Sequence, residues 1–95
     1  MFHHIIAKFN EQVTDKAALI AEIDRLYSTA AEIEGVHGCR VIPNCVDRSN
    51  RYDVMIRIEM DADKLSVWDA SDLHHVWKEK YGSLLEKKAI FDSIE

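Results

Sequence analysis

Hydrophobic and polar residues alternate at the start of the chain, then recur at helical spacing, then alternate again. From His3 to Phe9 the period is two: His3, Ile5, Ala7 and Phe9 point one way, and His4, Ile6 and Lys8 the other. This predicts a strand, with Asn10 to Val13 as its exit loop. Thr14 is the expected N-cap of a long helix, with Asp15 in the first turn where a negative charge suits the dipole. Leu19, Ile23, Leu26, Tyr27 and Ala30 carry the helical period to about Glu34, and Gly35 is the natural stop. Val36 to Pro43 reads as a second strand interrupted by Gly38, and Pro43 belongs at an edge or an end. After polar turn residues 44–50, the stretch from Arg51 to Met60 alternates most clearly, with Tyr52, Val54, Ile56, Ile58 and Met60 on one face.

The second helical region is broken. Asp61 to Ala70 is a short helix with Leu65 and Trp68 on one side. Ser71 then acts as a fresh N-cap for a second short helix carrying Leu73, His74, Val76, Trp77 and Tyr81. Lys87 to Ile94 closes as a final strand. The order β-α-β-β-α-β, with a split second helix, predicts one α+β domain over residues 1–95 of the ferredoxin-like kind. Its four-stranded antiparallel sheet carries helices on one face. Ile6 and Met55 fall on the other face among charged residues, so a homodimer joined through that open sheet face, a dimeric α+β barrel, is expected.

Composition narrows the partners. The net charge of -5 argues against nucleic acid or an anionic membrane, both of which need a basic face. No apolar run approaches the roughly 18 residues of a membrane span. Met1-Phe2-His3-His4 lacks the basic n-region of a signal peptide, so the expectation is a cytoplasmic protein with free thiols at Cys39 and Cys45. His3/His4 and His74/His75 are adjacent pairs without the i, i+4 spacing of a helical metal site. No metal or cofactor is expected from them.

Several residues together resemble the Dabb family, the stress-responsive dimeric α/β-barrel proteins. The first strand has the family pattern His-x-x-x-x-Lys-Phe at His3, Lys8 and Phe9. Tyr52-Asp53 matches a Tyr-Asp strand start, and Asp92 matches an acid in the last strand. The family signature Leu-x-x-Tyr-x-x-His-Pro-x-His falls on Leu65, Trp68, Ser71, Asp72 and His74: Trp replaces Tyr, and Ser-Asp replaces His-Pro. Ser-Asp opens a helix by capping as Pro does by its fixed φ, so the architecture survives the change.

The resemblance implies a pocket between sheet and helices that takes a small apolar or carbonyl-bearing ligand. A plant relative that closes a linear polyketide by an intramolecular aldol step uses two histidines matching His3 and His74. That makes these the candidate general acid and base of a cofactor-free lyase or cyclase, a role suited to imidazole at neutral pH. The reading placed ahead of it is a binding protein without catalysis in which both only hold the fold together, since the family Tyr and first His of the helix signature are replaced here. Ile5, Ala7, Ile23, Leu26, Trp68 and Trp77 are the expected ligand-binding wall; equally, aromatic residues at helical spacing fill cores. Lys88, at an inward strand position, needs a partner such as Asp92 or reaches water at the strand end. A further resemblance, to haem-degrading and quinone-forming monooxygenases of the same barrel, rests on Trp68 and a helix His. Against it, strand one has no mid-strand Asn, since Asn10 lies past its end.

Overall fold

The computed structural model describes residues 1–95. Four strands, β1 (Phe2–Phe9), β2 (Val36–Pro43), β3 (Val54–Met60) and β4 (Leu85–Ser93), form one antiparallel sheet in the order β2-β3-β1-β4. Three helices connect them: α1 (Lys16–Tyr27), α2 (Leu65–Asp69) and α3 (Asp72–Val76). A π-helical turn, Trp77–Tyr81, continues α3. This is the ferredoxin-like order with a split second helix. No helix is long and apolar enough to cross a membrane.

The element ends differ from the pattern in ways local chemistry explains. Asp15, not Thr14, caps α1: its Oδ1 accepts from Ala18 N at 3.0 Å, placing a carboxylate at the positive end of the dipole. The helix stops at Tyr27 and does not reach Glu34. The Ser28 hydroxyl donates to Arg25 O and the Thr29 hydroxyl to Leu26 O, drawing the last carbonyls into side-chain bonds. A single 3₁₀ turn, Ala30–Glu32, follows. Gly35 then turns the chain with φ +84, and a Cβ there would lie 2.3 Å from Lys64 Cγ, so both conformation and space call for glycine. A bulge between Val36 and Gly38 sets His37 aside from the ladder, and its Nε2 meets Asp61 Oδ1 at 2.7 Å on the surface.

β3 begins at Val54, three residues after the expected Arg51. Tyr52 and Asp53 are engaged before the ladder with β2 starts: Asn44 N donates to Asp53 O, and Asn44 Nδ2 to Tyr52 O. Asp53 is the bracket at this end of the sheet. Its N–H donates to Ala7 O, its Oδ2 accepts from Phe9 N at 2.8 Å and its Oδ1 from Lys16 Nζ at 3.0 Å, joining β1, α1 and the loop before β3.

One sheet face is packed by the helices. Ile5, Ala7, Val54, Ile56, Ile58 and Met60 of the central strands are buried there against Ile23, Tyr27, Trp68 and Trp77. No helix covers the opposite face. Register places Ile6 beside Met55 and Ala89, and His4 between Arg57 and Phe91, on that open face. Phe91 is 63% exposed there, and Ile94 beyond it 85%.

Candidate functional site

His3 and Asp92 stand opposite each other in the β1–β4 register, with both side chains on the helix face. His3 is buried and its Nδ1 lies 2.5 Å from Asp92 Oδ1; the carboxylate itself is partly exposed at the sheet edge. A carboxylate accepts only, so the ring's proton sits on Nδ1 and the Nε2 lone pair stays free. Asp92 therefore holds the tautomer a general base needs.

His74 enters from the other side. Ser71 caps α3 by accepting from His74 N at 3.2 Å, so the cap that opens the helix also fixes the backbone of the second imidazole. The indole of Trp68 stands between the two histidines, its ring centre 6.4 Å from His3 and 5.4 Å from His74. Trp68 Nε1 and His74 Nδ1 are both buried with no hydrogen-bond partner in the chain. Unpartnered polar atoms are rare in protein interiors. Two belonging to neighbouring rings, beside a carboxylate-held histidine, mark this corner as chemically unusual.

Burial pulls the His74 pKa below the ordinary imidazole range, helped by Lys78, Lys88 and His3 and opposed by Asp69. His74 is accordingly neutral at pH 7. The native state then binds fewer protons at this site than the unfolded chain, so its contribution to stability is lost as pH falls through the ordinary imidazole value. His37 works the other way, since its bond to Asp61 raises its pKa. Comparing wild type with His74→Gln separates the two. The difference in urea midpoint between pH 7.5 and 5 should be smaller in the variant; superimposable profiles would show that His74 titrates as it does in the unfolded chain.

The expected wall residues lie beneath this corner and are close-packed. Ile5, Ala7, Ile23, Trp68 and Trp77 are essentially inaccessible, and Leu26 is half-buried against them. Trp77 stands edge-on to Tyr27 at 5.9 Å and packs on Tyr81 at 5.7 Å. Two cavities lie elsewhere: one between α1 and the loop that follows β2, the other on the open sheet face near Ile6 and Met55. On the β4 edge that carries Asp92, Lys88 and Ile90 are exposed on the helix face. Lys88 forms no ion pair and reaches water; Asp92 is taken by His3. The other adjacent histidines stand apart from the pair: His4 bonds through Nδ1 to Phe91 O on the open face, and His75 is exposed. The Asp92–His3 bond escapes the sequence because two strands at opposite ends of the chain must pair in one register before the residues meet. Its available signal is the acid in the last strand.

No family model matches the sequence, and no curated protein does. Solved structures match over nearly its whole length. A dimeric protein of unknown function and ferredoxin-like fold from Bacteroides fragilis superposes with a TM-score of 0.81 at 14% identity, covering 99% of this chain and 94% of that one. Hydroxynitrile lyase from Passiflora edulis gives a TM-score of 0.75 at 13% identity, covering 99% and 91%. A Dabb family protein with a ferredoxin-like fold from Mesorhizobium loti gives 0.66 at 13% identity, covering 99% and 94%. At such identities the likeness is one of fold: the chain has the ferredoxin-like architecture that the Dabb resemblance implies, shared with dimeric proteins of that fold.

Proposed function

We propose that this chain is a homodimeric acid/base protein that makes or breaks a carbon–carbon bond at a small carbonyl compound, in the manner of a lyase. The observation that carries the reading is the Asp92–His3 bond, which leaves His3 Nε2 as a free base on the far side of the Trp68 ring from the neutral imidazole of His74. On a 2-hydroxynitrile, His3 Nε2 takes the hydroxyl proton, the bond to the nitrile carbon breaks, and the carbonyl forms. The departing cyanide takes that proton back from the His3 imidazolium, which returns to the free base, while the second imidazole stays neutral and serves as a hydrogen-bonding group. Trp68 packs against both rings from the core side. Because the interior below is filled, the substrate is small and approaches over the β4 edge. A structural neighbour is a hydroxynitrile lyase, which supports this chemistry on this fold. The dimer forms through the open sheet face, as exposed Phe91 and the dimeric neighbours support.

The test is release of benzaldehyde from mandelonitrile by purified protein, followed by absorbance. Turnover above the buffer rate is expected, falling by about 10²-fold or more in His3→Ala and in His74→Ala. Asp92→Asn, which removes the orienting carboxylate, should lower kcat with little change in KM. Equal rates in all variants would overturn the reading. Absence of turnover, with mandelonitrile still perturbing the His3 and His74 ring signals in NMR spectra, would leave a binding protein without catalysis.

A further inference from the structure

A cavity of about 680 Å³ contains none of the histidine-site residues. It lies between α1, the end of β2 and the loop 44–53. Its volume is that of a small-molecule site. Ala17 and Ala21, one helical turn apart, leave a shallow floor that Ile20 and Val41 complete with apolar surface. Asn44 braces the loop that forms the far wall: its Oδ1 accepts from Val46 N at 2.8 Å and its Nδ2 donates to Tyr52 O at 2.8 Å.

The charges in this cleft are sorted. Lys16 is satisfied by Asp53 at 3.0 Å, and Asp47 adds to the field that raises its pKa. Arg48 and Arg51, on the loop wall, face no carboxylate within ion-pair distance. Arg51 reaches only the side-chain oxygen of Asn50, at 2.8 Å. Asp24 is eight residues along α1 from Lys16, about 12 Å by helical rise, and is likewise in no ion pair. The loop end of the cleft therefore sets three cations, Lys16, Arg48 and Arg51, against the carboxylates of Asp53 and Asp47, the middle is apolar, and Asp24 stands apart along the helix.

We propose that this cleft is a second ligand site, for a small monocarboxylic acid with an apolar body. The carboxylate lies against Arg48 and Arg51, whose planar donors suit it, and the tail runs along Ala17, Ile20 and Val41. Asp24 at the far end disfavours a second acid group, so the site takes monoacids over diacids. The cleft shares no lining residue with the corner formed by His3, Trp68 and His74, and its occupancy does not depend on any chemistry there.

Titration of ¹⁵N-labelled protein with octanoate, octanedioate and octylamine tests this. Octanoate should give saturable shifts at the amides of Ala17, Ala21, Val41 and loop 44–53. Octanedioate should bind more weakly and octylamine not measurably. The double variant Arg48→Gln/Arg51→Gln, at loop positions outside the core, should weaken octanoate by about tenfold, the loss of a charge-assisted hydrogen bond. His3→Ala should leave octanoate binding unchanged. Octylamine binding as tightly as octanoate, unchanged affinity in the double arginine variant, shifts centred on His74 and Trp68, or no saturation at millimolar octanoate would each overturn the proposal.

Discussion

Replacing Trp77 by alanine is expected to cost about 3–5 kcal/mol of stability. The indole is fully buried and packs against Tyr27 and Tyr81 at the start of the π-helical turn. A domain of this size has about 5–15 kcal/mol in total, so the variant loses about a fifth or more of it. The melting temperature should fall by at least about 12 °C. Urea unfolding followed by far-UV circular dichroism measures the change without relying on the lost fluorophore. Trp77→Phe, which keeps a ring, should lose clearly less. A cost for Trp77→Ala below about 1 kcal/mol would show that the indole is a removable wall over usable space, and would return the ligand pocket to the interior between sheet and helices.

An acidic residue in place of Ile6 should convert the proposed dimer to monomer. Ile6 lies near the centre of the open face, beside Met55 and Ala89 and next to the small depression there. In a two-fold interface each substitution enters twice. If each buried carboxylate costs about 2 kcal/mol, the dissociation constant rises by about 10³-fold. Sedimentation velocity at micromolar concentration should then give the monomer mass for Ile6→Glu and twice that mass for wild type. Phe91→Ser should weaken the dimer less, because Phe91 lies on the edge strand. An unchanged mass for Ile6→Glu would sink the sheet-face interface. A monomer only in Phe91→Ser would move the contact to the β4 edge.

The strands were legible in the sequence because their pleat writes a period of two directly into residue type, most clearly from Val54 to Met60. The Ser71 cap was legible for a similarly local reason, since one hydroxyl reaches the third amide after it. The end of α1 was not. Apolar spacing runs on through Ala30, which is buried after the helix has ended, so the pattern records burial and not backbone geometry. The histidines could be picked out singly, whereas the Asp92 bond depends on strand register. The cleft beside α1 was missed because its features are small residues and a turn, which carry no periodic signal. The role of Trp68 and Trp77 was open between ligand wall and core because sequence spacing gives the same answer for both; packing places them in the core.

The bond between His3 and Asp92 joins residues 89 positions apart, drawn from the first and last strands. The two ends of the polypeptide are thus neighbours in space, and the imidazole corner is assembled where the chain closes on itself. Fraying of β4 by its last two residue pairs, Ser93 with Phe2 and Asp92 with His3, removes the carboxylate while leaving the rest of the core intact, so site integrity reports the attachment of the terminal strand. Purification tags at either end would sit beside that corner. A circular permutant that links the present ends and opens the chain in the exposed loop after β2 would convert this long-range pairing into a local hairpin.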